Sequence, residues 1–481
     1  MRALRIPSFA AADRRRGRAR IAAWGLTALL GLAVPAAADP IDDYLRGEMA
    51  RRKIPGLALA VARDGRVERV SAYGLSHVET ASPVTAESIF AIASLDKQVT
   101  ACGVLRAAEL GKLALDDAVT KWVDVPFAGV TLGHLLSHTS GLPDEVAGSI
   151  EGRYFTDYTS DQLLATVAGL TPLAPPGHRF AYSDAGLFLA QLATERAAGE
   201  PWWDFMRREL FAPAGLASPL SMAPGALIPH RVSAYTLSDA GELVRDRRLD
   251  LDFGPLYSDL GMTVGDFARF LAAQDLGRPL APASVTRLTS STRLADGAPA
   301  SELFQWSRYG LGVGLDSWRG EPVTLHSGHS GVGFARFPGR RLSVVVFTNL
   351  EHPAGSDPVG LALGVAGLLE RALAVAPRPA LPVAPAELAA ARAEYAELLA
   401  GRPDLARYAV HLAAAAWEGA GGLAGRAPRL GALEAFELLD ESPVDGAATR
   451  LWRARHANGT IYWRVSRDAA GKIDRAVWWH L

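Results

Sequence analysis

The chain has 481 residues, 49% of them apolar and 8% aromatic, enough for one large buried core and a smaller one beside it. Its 50 Lys and Arg stand against 51 Asp and Glu, a formal net charge of −1. That balance lacks the concentrated positive charge that phosphate binding needs, so no nucleic-acid partner is expected, and no polar low-complexity tract points to disorder.

The N-terminus departs from this even composition. Arg14, Arg15, Arg16, Arg18 and Arg20 precede an apolar stretch from Ile21 to Val34, and Ala36-Ala37-Ala38 offers an A-x-A cleavage site before Asp39. Basic, apolar, small is the order of a Sec-type signal peptide, and the apolar stretch is short for a membrane span. The expectation is cleavage after Ala38, a periplasmic or secreted mature chain and no stable membrane insertion. An uncleaved anchor is the alternative, and the paired arginines could feed a twin-arginine route.

Asp42 to Arg52 reads as a helix ended by Pro55-Gly56. Leu57 to Tyr73 reads as a β-hairpin, with Leu59, Val61, Val67 and Val70 as strand formers around an Asp64-Gly65 turn. A helix is expected from Ser94 to Leu110, stopped by Gly111. It carries the only cysteine, Cys102, among Val99, Ala101, Val104 and Leu105, so no intramolecular disulfide can form and a small buried residue is expected there.

Helices are expected over Ser160 to Val167, Ala185 to Ala198 and Trp202 to Phe211. The β-branched run Leu342 to Thr348 reads as a central strand, followed by a helix from Val359 to Leu373. Four prolines between Pro377 and Pro385 mark a stiff, extended linker. Beyond it come a helix from Ala386 to Leu399 and four strand-like runs: Leu433 to Leu439, Thr449 to Arg455, Thr460 to Val465 and Ile473 to Trp479. Turn signals at Asn458-Gly459 and Ala470-Gly471 separate the last three.

Ser94-Leu95-Asp96-Lys97 opens the helix that follows the apolar Ile89-Phe90-Ala91-Ile92-Ala93. A serine hydroxyl is a poor nucleophile until a base takes its proton. Residues three apart share a helix face, which brings Lys97 within reach of Ser94, and the helix start supplies free N–H groups favourable to an oxyanion. Alone, the tetrapeptide is a weak signal that chance produces often, and its ordinary reading is a capping serine followed by a surface lysine.

Its surroundings are more specific. Ile89 to Ala101 closely resembles the nucleophile segment of class C β-lactamases and penicillin-binding-protein-like serine hydrolases. Leu135-Leu136-Ser137-His138-Thr139-Ser140-Gly141-Leu142-Pro143 looks like a second hallmark of that family. Phe180-Ala181-Tyr182-Ser183-Asp184-Ala185-Gly186 resembles its Tyr-x-Asn motif. His326-Ser327-Gly328, before Gly333-Phe334, is similar to its Lys/His-x-Gly motif. The four motifs run in the family's order, and the resemblance spans roughly residues 41 to 375.

The resemblance implies a β-lactamase/transpeptidase-like α/β sandwich: an antiparallel sheet flanked by helices, a helical subdomain, and Ser94 where the parts meet. It implies a hydrolase domain over residues 39–376, the linker over 377–385, and a small α+β domain over 386–481. Ser94 would be acylated, and Lys97 and Tyr182 are both open as its base, with Tyr182 also the acid for the leaving group. A tyrosine titrates near 10, so Tyr182 would need a lysine cation beside it to serve as base.

The backbone N–H groups of Ser94 and His329 would form the oxyanion hole, with Asp184, His326 and Gly328 lining the substrate site. His329-Ser330-Gly331 has the same shape as His326-Ser327-Gly328, so a second register is open. His138 is expected to orient its loop. A metal held by His326 and His329 lacks a third ligand in the sequence, so no metal or organic cofactor is expected.

One residue departs from the family pattern. Asp184 stands where Asn is usual, and an ionised carboxylate accepts hydrogen bonds but cannot donate one to a substrate carbonyl. It would also favour the ammonium form of Lys97, making a poorer base. The expected activity is hydrolysis of an ester or amide substrate, of carboxylesterase or D-amino-acid peptidase type, with weak β-lactam turnover, by a monomer. A non-catalytic protein that binds cell-wall fragments is the alternative. At the C-terminus, Gly471 to Trp479 resembles the last strand of NTF2-like or cystatin-like domains. Trp452, Trp463, Trp478 and Trp479 are expected as core rather than a binding surface.

Overall fold

The computed structural model describes residues 39–480 other than 145–158, 223–225, 239, 247–259, 302–305, 353–354, 375–378, 410–422, 425–426 and 442–446. The expected signal peptide and its cleavage site lie outside the described residues. Among the described residues no helix is long and apolar enough to cross a membrane.

Helix α1 (Pro40–Arg52) leads into the hairpin of β1 (Gly56–Arg63) and β2 (Arg66–His77). Asp64 and Gly65 turn it with φ 50° and 79°, the paired positive angles that a two-residue turn matching strand twist requires. A short β3 (Ser82–Pro83) pairs with the end of β2. Five later strands complete the sheet: β4 (Arg308–Tyr309), β5 (Gly314–Trp318), β6 (Glu321–Gly328), β7 (Val332–Phe337) and β8 (Leu342–Thr348). The order across the eight strands is β3-β2-β1-β8-β7-β6-β5-β4, with antiparallel neighbours throughout.

Residue size explains how both faces of this sheet are covered. β1 alternates Leu57, Leu59 and Val61 with Ala58, Ala60 and Ala62. The larger set joins Ile41 and Leu45 of α1 and Val359 and Leu361 of α6 (Pro358–Leu369) in one core. The alanines let α5 (Val264–Asp275) come close, with Phe267, Phe270 and Leu271 packed in the other core. β8 is divided the same way, Val344 and Val346 to one face and Val345 and Phe347 to the other. Its unbroken apolar run is therefore that of a strand buried on both sides. Each such side chain contributes about 1.5–3 kcal/mol relative to exposure.

The helical part contains α2 (Asp96–Glu109), α3 (Ser160–Ala168) and α4 (Asp184–Ala198). α2 begins two residues later than the sequence implies, because Ala93–Leu95 form a 3-10 turn first. The expected Trp202 to Phe211 helix is α-helical only to Met206 and widens into a π turn over Arg207–Phe211. The helix after Val359 ends at Leu369 rather than Leu373.

The C-terminal part is a four-stranded antiparallel sheet in sequential order, β9 (Leu433–Glu441), β10 (Ala448–His456), β11 (Gly459–Arg467) and β12 (Ile473–His480). Helix α7 (Pro385–Leu399) lays Tyr395 and Leu398 on Phe436, Trp452 and Trp463. It starts at Pro385, whose missing N–H costs nothing in a first helical turn. Trp452 and Trp463 face each other across β10 and β11 and are buried, as expected of core residues. Trp478 packs partly buried against them, and the side chain of Trp479 is outside the described residues. The proline-rich segment before α7 is held against this sheet at Leu381, whose N–H donates to the Leu438 carbonyl at 2.8 Å. Arg464 of β11 pairs with the buried Asp316 of β5 and donates to Ser307 Oγ at 2.8 Å, tying this sheet to the larger one.

Candidate active site

Ser94 sits in the 3-10 turn between the apolar segment ending at Ala93 and helix α2. Ala93 adopts φ 45°, an uncommon angle for a residue with a Cβ, where the apolar segment passes into the turn that leads to α2. Every residue of α2 from Asp96 to Leu105 is buried, including Asp96, Lys97, Gln98 and Thr100 in its first turns. Lys97 is therefore drawn into the interior with only 4% of its surface exposed. Its Nζ lies 3.3 Å from Ser94 Oγ, the contact that a three-residue helical spacing implies.

Helix α4 packs on α2 and brings the second group. Ser183 caps α4 by accepting the Gly186 N–H, which places Tyr182 just before the helix and Asp184 in its first turn. Asp184 forms an ion pair with Lys97, and the Lys97 Nζ stands 4.9 Å from the centre of the Tyr182 ring. Burial alone pulls the Lys97 pKa down, but Asp184 and, less strongly, Tyr309 and Asp144 more than offset it, so the ammonium is favoured beyond an ordinary lysine. The carboxylate–ammonium contact expected from the departure at Asp184 is thus present.

The third wall is the end of β6. Gly328 lies against the nucleophile turn: a Cβ there would stand 2.9 Å from the Ile92 carbonyl oxygen and 3.1 Å from Ala93 Cβ. His326-Ser327-Gly328 are the last residues of β6, whereas His329-Ser330-Gly331 form the turn into β7, with Gly331 N–H donating to the Gly328 carbonyl at 3.0 Å. Ser330 Oγ donates to the Ala91 carbonyl at 2.7 Å, a further tie to the nucleophile segment.

His326 is buried, with Nδ1 2.8 Å from the Ser327 carbonyl and Nε2 3.1 Å from the Tyr309 hydroxyl. Nδ1 therefore carries the proton and Nε2 accepts. Burial, helped by the Lys97 cation, lowers the His326 pKa to about 3, so the ring is neutral. His329 is exposed, and its Nε2 lies 3.1 Å from Glu351. Burial pushes Glu351 up, yet His329 and Thr236 hold its pKa down to about 2. His329, Asp246 and Glu351 offer atoms within 4.8 Å of one another, and His326 is not part of that group.

Sequence reasoning missed Asp144, Tyr309 and Trp306. Asp144 Oδ1 accepts the Asp184 N–H at 2.9 Å. Asp144 keeps part of its surface exposed, and the desolvation it does undergo, together with the Asp184 charge, raises its pKa to about 7. Its place directly after the Leu135 to Pro143 motif was the available signal. Tyr309 and Trp306 pack on the His326 ring from a part of the chain without any motif.

The β-lactamase family profile matches residues 41–369. Over 329 residues the chain is 31% identical to penicillin-binding protein 4 of Amycolatopsis lactamdurans, across 64% of this chain and 83% of that protein. It is 33% identical over 179 residues to esterase EstB of Burkholderia gladioli, across 34% of this chain and 45% of the esterase, under half its length. The octameric penicillin-binding protein homologue from Pyrococcus abyssi superposes with a TM-score of 0.62 at 20% identity, over 89% of this chain and 96% of that one, a likeness of fold. The family profile covers most of the chain and the site holds a half-buried Ser94 against a buried Lys97, so this protein belongs to the β-lactamase family and is a serine hydrolase.

Proposed function

We propose that this chain is an exported hydrolase of carboxylesterase or D-amino-acid peptidase type, acting through an acyl-enzyme on Ser94. The observation that carries the proposal is the 3.3 Å contact between Lys97 Nζ and Ser94 Oγ beneath the Tyr182 ring. An ammonium cannot accept a proton, and the ion pair with Asp184 keeps Lys97 in that form. Tyr182 is then the base. The Lys97 charge beside its ring stabilises a phenolate, which takes the Ser94 proton as Oγ attacks the substrate carbonyl carbon.

The N–H groups of Ser94 and His329 receive the oxyanion, a contribution of about 3 kcal/mol per donor in comparable sites. The Tyr182 hydroxyl returns the proton to the leaving alkoxide or amine, and water activated by Tyr182 releases the acid. Asp184 can accept a hydrogen bond but not offer one to a β-lactam or peptide carbonyl, which supports weak β-lactam turnover. Export rests on the signal-like N-terminus, and the C-terminal α+β unit is read as NTF2-like or cystatin-like from its last strand.

The test is the intact mass of the protein after exposure to a fluorophosphonate, beside a Ser94→Ala control. A single adduct on the wild type, absent from the control, is expected. A folded wild type that takes no adduct refutes the proposal.

A further inference from the structure

We infer that His138 is a positioning residue for Tyr182, holding the chain on both sides of the phenol so that its ring stays over Lys97. The inference rests on Tyr182 as the acid–base group proposed above.

Two backbone contacts carry it. The His138 carbonyl accepts the Ala181 N–H at 2.8 Å, and the His138 Nδ1 accepts the Ser183 N–H at 3.1 Å. The residues immediately before and after Tyr182 are thus bound to one histidine. Its ring also lies on the tyrosine, with centres 4.3 Å apart and planes 30° from parallel. Ser183 Oγ, from the same clamped segment, donates to the Pro143 carbonyl at 3.1 Å, so the clamp includes the loop that follows His138.

A histidine here is costly to the fold in two ways. Its backbone takes φ 54°, a left-handed angle that residues with a Cβ seldom adopt. Because Nδ1 accepts a hydrogen bond, the neutral ring carries its proton on Nε2, and that buried nitrogen has no partner among the described residues. A residue needed for packing alone would be better served by phenylalanine, which fills similar space without an unpaired donor. Phenylalanine cannot accept the Ser183 N–H, and this is the function that imidazole adds. The ring does not compete as a base, since burial and the Lys97 cation keep its pKa far below that of an ordinary histidine.

The test compares His138→Phe, which keeps an aromatic ring but loses the acceptor, with His138→Asn, whose Oδ1 can replace Nδ1. Each is made in the wild type and in Tyr182→Phe, and kcat, KM and the pH profile of kcat are measured on a p-nitrophenyl ester. Misplacing a reacting group by about 1 Å can cost on the order of a hundredfold. His138→Phe should therefore lower kcat by about tenfold or more, with KM changed less than about twofold, and shift the pH profile. His138→Asn should recover part of the loss.

Neither change should lower the residual rate further in the Tyr182→Phe background, because the group being positioned is gone. An equal loss in both backgrounds overturns the inference and leaves Tyr182 as acid–base group. Full activity of Tyr182→Phe overturns both the inference and the assignment of Tyr182, while the Ser94 adduct would still stand. If the Phe variant does not fold, the Asn variant's dependence on the Tyr182 background decides alone.

Discussion

Replacing Asp184 by Asn tests what keeps Lys97 charged. The side chains are nearly the same shape, so the change removes a charge and leaves the packing of α4 on α2 in place. Lys97 is buried and pairs directly with Asp184. Two unit charges about 4 Å apart, at an effective dielectric near 20, interact by about 4 kcal/mol. At about 1.4 kcal/mol per tenfold, that is up to roughly a thousandfold in the ratio of ammonium to amine. With the carboxylate gone, burial, the largest single influence on Lys97, loses its main counterweight and favours the neutral amine, which can serve as a base.

The assay is the rate at which a fluorophosphonate labels Ser94, followed across the neutral and alkaline range. A base works only when deprotonated, so with the neutral Lys97 amine taking over from Tyr182 as base the acid limb of the profile should move to lower pH in Asp184→Asn. The variant should also gain hydrolysis of a chromogenic cephalosporin, since Asn can donate to the lactam carbonyl. Stability moves the other way. The wild-type Lys97 has a raised folded pKa, so its pairing contributes fully at neutral pH and is lost only as pH rises through that folded value. Asp184→Asn should therefore melt lower at neutral pH. An unmoved acid limb together with no gained β-lactam turnover would refute the reasoning.

Gly328→Ala should slow Ser94 labelling, because the new Cβ meets the Val332 side chain on β7 and, at the nucleophile turn, the Ile92 carbonyl and Ala93; an unchanged labelling rate in folded protein would separate β6 from the reaction. Asp144→Asn keeps an acceptor for the Asp184 N–H but cannot ionise. The raised folded pKa of Asp144 makes the wild type lose stability as pH rises from about 4 to about 7, so the variant's gain in Tm should be larger above neutrality than in acid. Arg464→Ala strands the buried Asp316 carboxylate, and breaking such a pair typically costs about 3–5 kcal/mol. Calorimetry should show a marked fall in Tm while the labelling rate of the remaining folded protein is kept.

The local features of this protein were legible in the sequence because each is decided by neighbours along the chain. Asp64-Gly65 makes the turn whose two positive angles those residue types tolerate. The three-residue spacing from Ser94 to Lys97 sets their contact where the turn leads into α2, and Leu59 and Val61 mark β1 as a strand. The departure at Asp184 was also visible, together with its sign for Lys97.

What the tertiary structure decided is the company these groups keep. Lys97 is buried because the first turns of α2 are enclosed on all sides, and it is charged because the docking of α4 on α2 sets a carboxylate against it. Asp144 acquires its raised pKa from desolvation and from the Asp184 charge that folding sets beside it. His138 reads from sequence as a loop residue, and folding alone brings the N–H groups on either side of Tyr182 to its carbonyl and ring nitrogen. Spacing along a helix or turn fixes contacts within a few residues. The electrostatics of a buried site depend on which distant segments exclude water from it, and that is a property of packing.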